Sequence, residues 1–238
     1  MQRIHLPKTK FSDILILSEE WIYHQLTRVL RSRVGNTFIF FDGETMSDYL
    51  YEITHIDSRE VKMKKLETIE KLSESPAHIH LYQALPNKLS KIEYIIQKWV
   101  EVGISNFYIY SSERSQQLRI SNSKQQRLEK IIQEATEQSN RNVIPKLYMF
   151  DQVDIDDVEW DNVYLHTTSW SDVVALRDIQ LSKTEDINIW VWPEGGFSDN
   201  EIQSFENKNY KKLYLWDRVL RTETAWVVVW FFIAQMFL

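Results

Sequence analysis

The chain has 238 residues, 43% hydrophobic and 26% charged, the balance of an ordinary water-soluble domain with length enough for a substantial core. It has no cysteine, which excludes disulfides, zinc–thiolate sites and thiol nucleophiles, and a reducing cytoplasm is the simple expectation. Its net charge of −6 argues mildly against a nucleic-acid partner, yet residues 1–72 are neutral, with 11 basic and 11 acidic side chains, so the excess lies wholly beyond them.

The first 72 residues read as β-rich. Short runs at 14–17, 37–41, 49–53 and 60–64 are bounded by turn signals at Gly35-Asn36 and Asp42-Gly43. One helix at 19–31 interrupts them, with Ser18 as its expected N-cap. A small barrel carrying one helix is the expected architecture, and Ser73-Glu74-Ser75-Pro76 reads as the linker that ends it. Residues 1–72 and 73–238 are therefore the two expected domains.

Beyond the linker, strand and helix alternate. A strand is expected at 78–85, then a helix opened by the capping-box pattern Ser90-Lys91-Ile92-Glu93, with apolar Ile92, Ile95, Ile96, Trp99 and Val100 at helical spacing. Further strands fall at 106–110, 145–150, 162–166, 187–192 and 212–216. A helix through Leu128, Ile131, Ile132 and Ala135 separates the first two of these strands. Ser198-Asp199-Asn200-Glu201 repeats the capping box, and Thr222 is expected to cap a last helix. The apolar run 225–238 is 14 residues and holds Gln235, short of a membrane span, so a buried terminal helix is expected. Alternation of this kind predicts a parallel sheet covered on both faces.

Open parallel sheets bind ligands at the carboxyl ends of their strands. Three such ends stand out: His166-Thr167-Thr168, Trp192-Pro193-Glu194-Gly195-Gly196, and the stretch from Trp216 to Arg221. The second runs from a buried strand through a glycine pair into a capped helix, and suits a planar, hydrogen-bonding ligand such as an adenosine. It is neither a dinucleotide-binding glycine motif nor a Walker loop. Two basic clusters, Arg28 with Arg31 and Arg33, and Arg114 with Arg119, Lys124, Arg127 and Lys130, could meet phosphate or simply be solvated.

These segments, together with His24-x-x-x-Arg28-Val29-Leu30-Arg31, Gln83-Ala84-Leu85-Pro86, Ser112-Glu113-Arg114-Ser115, Glu137-Gln138-Ser139-x-Arg141 and Leu220-Arg221-Thr222-Glu223-Thr224-Ala225, give the chain a family likeness. Over nearly its whole length it resembles the RsmE family of 16S rRNA (uracil-N3) methyltransferases, in the SPOUT superfamily. The resemblance implies an α/β chain: a C-terminal SPOUT trefoil-knot domain with a parallel sheet, and a small N-terminal PUA-like β-barrel that binds RNA. It implies S-adenosylmethionine as cofactor and no metal. It also implies a cytoplasmic homodimer, off the membrane, acting on one uridine of the small-subunit decoding region.

By that resemblance the cofactor is held by His166, Trp192, Pro193, Glu194, Gly195, Gly196, Leu215, Trp216, Leu220 and Thr222. Uracil N3 is a poor nucleophile until its proton leaves, so a base or an anion stabiliser is needed. Arg221, Glu223 and Glu194 are the candidates, although Glu223 could equally serve its helix N-terminus. His24, Arg28, Arg31, Arg33 and Arg114 are the expected RNA contacts, with His24 and His5 open to a purely structural role. Arg141 and Glu137-Gln138-Ser139 could order a dimer interface or the cofactor loops.

One departure is conspicuous. Nine tryptophans and five glycines are present, where average usage would give roughly 17 glycines. The family has glycine where this chain has Trp192 and Trp216, and Trp99, Trp226 and Trp230 also sit where small residues would let helices pack closely. An indole in a close-packed cofactor loop costs on the order of 1–3 kcal/mol through overpacking. Either the cofactor site is blocked or remodelled, leaving an RNA-binding relic, or these tryptophans stand for glycines at UGA codons, which some bacterial lineages read as glycine. The joint shortage and excess favour the second account.

Overall fold

The computed structural model describes residues 2–7, 11–70, 74, 77–115, 119–151, 153, 158, 161–166, 174–175, 178–179, 186–215 and 218–236, without the side chains of Glu223, Trp226 and Ala234. The chain forms two compact units, Met1–Glu74 with Thr136–Ile144, and Ser75–Ala135 with Pro145–Leu238.

The first unit is built on a five-stranded mixed sheet of β1 (Arg3–His5), β2 (Ile14–Leu17), β3 (Thr37–Phe41), β4 (Ser47–Ile56) and β5 (Val61–Glu70), in the order β1-β3-β4-β5-β2. β1 runs parallel to β3 and the other pairings are antiparallel. Strand β1 gave no sequence signal. The expected helix is instead a short α1 (Glu20–His24) continued by a π-helical turn, Gln25–Val29, and its N-cap is Glu19, not Ser18, with no side-chain cap bond. Ile22 and Leu26 sink from it into a core of Leu15, Leu17, Phe38, Phe40, Tyr51, Ile53, Val61 and Met63. Gly43, at φ +83°, makes the turn after β3, where the Asp42 carboxylate accepts the N–H groups of Glu44 and Thr45.

Buried ionic groups tie the segment 136–144 into this unit. Arg3 donates to the Asp48 carboxylate at 2.7 and 3.0 Å, and its guanidinium lies 3.7 Å over the Phe41 ring. The Asn142 amide adds a 2.8 Å bond to the same carboxylate. Arg141 grips Glu74 at 2.6 and 3.0 Å, and Glu74 also accepts the N–H groups of Asn142 and Val143. Glu137 accepts the His5 N–H. Each buried charge thus has charged and hydrogen-bonded partners, which such burial demands.

The second unit holds β6 (His78–Ala84), β7 (Asn106–Tyr110), β8 (Lys146–Phe150), β9 (Asp161–His166), β10 (Val174–Ala175), β11 (Asp186–Val191) and β12 (Lys211–Tyr214). They form one sheet in the order β10-β12-β9-β11-β6-β7-β8, and every pairing is parallel. Helices α2 (Leu89–Val102), α3 (Asn122–Ser139), α4 (Asp199–Asn207) and α5 (Thr222–Gln235) connect or follow them. On α2, Ile92, Ile95, Ile96, Trp99 and Val100 are buried as their spacing predicts. The helix begins two residues too early for Ser90 to cap it, however: its N-cap is Lys88, without a side-chain bond. At α4 the box forms, with Ser198 and Glu201 each accepting the other's backbone N–H.

Candidate active site

The ends of β11 and β12 carry the residues that matter. After β11 the chain turns through Pro193 and Glu194 to Gly196, whose N–H bonds the Pro193 carbonyl at 2.9 Å and whose φ of +72° suits glycine. Gly195 is favoured for a different reason, since a Cβ there would crowd the Arg114 Cβ at 3.1 Å and its carbonyl oxygen at 3.3 Å, so that Arg114 would have to shift. Arg114 braces this loop from outside by donating to the carbonyl of Phe197 at 3.0 Å. The preceding residue supports it, as the Glu113 N–H bonds Glu201 of the capping box.

Thr222 does not cap α5 but opens it as the first helical residue. Its buried hydroxyl donates across to the Trp192 carbonyl at 3.2 Å, joining the loops after β11 and β12. Between them lies a cleft of about 440 Å³ lined by Lys91, Trp192, Glu194, Val219, Leu220, Arg221 and Thr222. Glu194 accepts the Lys91 ammonium at 2.5 Å and the Asn87 N–H at 3.2 Å. Burial pushes the Glu194 carboxyl up, but the Lys91 bond, backbone N–H bonds and the Lys91 charge outweigh it and hold the group below its ordinary value.

The structure therefore brings together five of the expected residues: Trp192, Glu194, Leu220, Arg221 and Thr222. Pro193, Gly195 and Gly196 shape the loop without lining the cleft, and His166 and Leu215, at the ends of β9 and β12, do not line it either. Trp216, Thr167 and Thr168 lie outside the described residues, as does the side chain of Glu223. Lys91 was missed by sequence reasoning: its partner Glu194 is 103 residues away, and helical spacing alone marks Lys91 as surface. In the first unit His24, Arg28, Arg31 and Arg33 are all exposed, with Arg31 at φ +50°. An apolar wall, two cations and one carboxylate suit a ligand with a flat apolar part and an anionic group, and Arg221 can stabilise negative charge formed beside it.

A family model described as the RNA methyltransferase domain matches residues 73–234, more than half of the chain. The ribosomal RNA small subunit methyltransferase E of Buchnera aphidicola is 29% identical over 94% of this chain and 90% of its own. That of Synechocystis is 31% identical over 85% of this chain and 67% of its own. A Legionella pneumophila structure with bound S-adenosylmethionine superposes with a TM-score of 0.82 at 28% identity, over 98% of this chain and 96% of that one. The chain belongs to the RNA methyltransferase family and, within it, to the ribosomal RNA small subunit methyltransferases E.

Proposed function

We propose that the protein transfers a methyl group from S-adenosylmethionine to N3 of a decoding-region uridine in 16S rRNA. The observation that carries this reading is the cleft between the loops after β11 and β12, lined by Arg221 and Lys91, in a chain of this family. Its volume lies within the ordinary range for a small-molecule site, so the residues present fit an adenosine-bearing cofactor. When bound, that cofactor supplies a methyl group already activated on a sulfonium.

The protein's own residues do the rest. Trp192, Leu220 and Thr222 hold the cofactor from the cleft wall, Pro193, Gly195 and Gly196 shape the loop against it, and the family likeness adds His166, Leu215 and Trp216 as backbone contacts beyond the cleft. Arg221 offsets the negative charge that uracil gains as its N3 proton leaves. Glu194, kept ionised by Lys91, is a weak proton acceptor and is better suited to fixing the loop. Glu223, in the first turn of α5, is the remaining candidate base. His24, Arg28, Arg31 and Arg33 hold rRNA phosphates from a PUA-like first unit, while Arg114 shapes the cofactor loop. The trefoil knot and the cytoplasmic location belong to the same reading.

So does the homodimer. On α5, Val227, Val228 and Phe231 are 37%, 38% and 60% exposed, an apolar face suited to a second copy. A lower mass by light scattering for Phe231→Glu than for the parent chain is the expected result.

The buried indole of Trp192, a wall of the cleft, favours a second reading: a protein of this fold that binds RNA without methylating it. Calorimetry with S-adenosylmethionine separates the two. Heat of binding restored or strengthened by Trp192→Gly with Trp216→Gly supports the enzyme, and no heat in that variant sinks it. Primer extension on 16S rRNA from a deletion strain tests the target, because a persistent N3-methyl stop would exclude it.

A further inference from the structure

One face of the parallel sheet carries a row of aromatic rings in strict register. Trp190 of β11 is paired with Tyr82 of β6, Tyr82 with Tyr108 of β7, and Tyr108 with Tyr148 of β8. Their rings stack at centroid distances of 4.1, 4.5 and 5.0 Å, tilted by only 19°, 7° and 19°. Phe150, two residues further along β8, lies within 7° of the Tyr108 plane. The row therefore runs across strands, with ring faces turned along the direction from one strand to the next.

It ends at β8, the last strand of the sheet order. Trp190 is fully buried and Tyr82 nearly so, but Tyr148 and Phe150 are 37% and 42% exposed. Cross-strand aromatic pairing explains the inner rungs, since such pairs stabilise a sheet. It does not explain two large rings left open on an edge strand, which proteins normally blunt with charge or proline.

The surroundings suit a polyanion with flat, unstacked bases. Lys146 is exposed at the start of β8 and shares the face of Tyr148 and Phe150 by alternation. At the end of β8, Phe150 also lines a separate cavity of about 560 Å³ that reaches round to Met149 and Ile109 of the other sheet face and includes Arg119, Gln125 and Asp151; it shares no residue with the cofactor cleft. The Arg119 carbonyl is held by Lys124, which fixes the backbone there. Asp151 is the one carboxylate among the described residues lining that cavity.

We infer that the edge of the sheet at β8 is a stacking site for an unpaired base of the RNA substrate. The base continues the row of rings on Tyr148 and Phe150, and Arg119 and Lys146 meet the flanking phosphates. The inference rests on the RNA-methyltransferase reading and adds a second RNA contact apart from the reacting uridine. Stacking of this kind tolerates any base, so the site grips a single strand without reading its sequence.

Fluorescence anisotropy with a labelled single-stranded RNA tests it. In Tyr148→Ala with Phe150→Ala, the dissociation constant should rise by about 5- to 150-fold per base unstacked, with the melting curve showing a folded protein. The exchange Tyr148→Phe with Phe150→Tyr, which keeps both rings, should bind as the parent does. Lys146→Ala and Arg119→Ala should each flatten the dependence of affinity on salt, with no change in base preference. Unchanged RNA affinity in the folded double-alanine variant overturns the inference. So does a loss of dimer mass with RNA affinity intact, which would make the face a contact between copies. If the parent chain methylates 16S rRNA while the double-alanine variant binds RNA equally well, only the stacking site falls. If the parent binds no RNA, both readings fall.

Discussion

The Thr222 hydroxyl donates to the Trp192 carbonyl, so the first residue of α5 is fastened to the loop that follows β11. Both residues are buried, and the bond joins two segments 30 positions apart. Thr222→Val keeps the shape and removes the donor, at a cost of about 1–3 kcal/mol because the carbonyl is left unsatisfied. The expected result is a lower urea midpoint with a larger loss in S-adenosylmethionine affinity than Thr222→Ser shows.

Glu194 gives the same loop a dependence on pH. Its carboxyl ionises more readily in the folded protein than in the unfolded chain, where its value is 4.5. Its contribution is complete above that value and is lost as the pH falls through the lower folded value. Urea unfolding of the parent and of Glu194→Gln should differ near neutrality and converge in acid. A gap that does not shrink at all as the pH falls below 4.5 would rule out this role for the carboxylate.

Arg3 and Asp48 form a pair with side chains only 3% and 5% exposed. Removing one partner strands the other, and Asp48→Ala should cost about 3–5 kcal/mol in denaturant unfolding. Replacing both with apolar residues of similar volume should cost much less, because no charge is then left buried.

The tryptophans should not respond alike to glycine. Trp190 is fully buried, donates to the Asn162 side chain at 2.9 Å and stacks on Tyr82, so Trp190→Gly should cost at least about 3–5 kcal/mol. Trp230 has a buried indole N–H that meets no acceptor among the described residues, and Trp230→Gly should be milder. Trp192→Gly should open the cleft. Melting temperatures of the three variants in parallel distinguish an indole that the fold depends on from one it merely accommodates.

How much of this could be read in advance follows from how local each signal is. The strands of the parallel sheet were legible because β9 and β11 are buried on both faces and carry short apolar stretches, at 163–165 and 189–191, that are too short for helices. Their order was not, because the pairing of β6 with β11 joins segments about a hundred residues apart and leaves no periodic trace. The capping box at Ser198 was legible because both its bonds lie within four residues. The identical pattern at Ser90 misled because α2 starts at Leu89, placing Ser90 inside the helix. At the site, the loop motifs announced Trp192 to Gly196 and Leu220 to Thr222, but nothing local announced Lys91. Arg141 and Glu137 could be singled out as unusual polar residues, yet their partners Glu74 and His5 lie more than sixty positions upstream.

The membership of 136–144 in the first unit sets a timetable for synthesis. Asp48 emerges early with Arg3, but the Asn142 amide that completes its shell is made nearly a hundred residues later. Glu74 likewise waits for Arg141. While only residues 1–74 have left the ribosome, Asp48 lacks the Asn142 amide and Glu74 lacks Arg141, so the first unit has less to stabilise it than it gains once 136–144 is made. The two units are thereby made in an interlocked order, and a fragment cut at residue 74 lacks the partners its buried charges require.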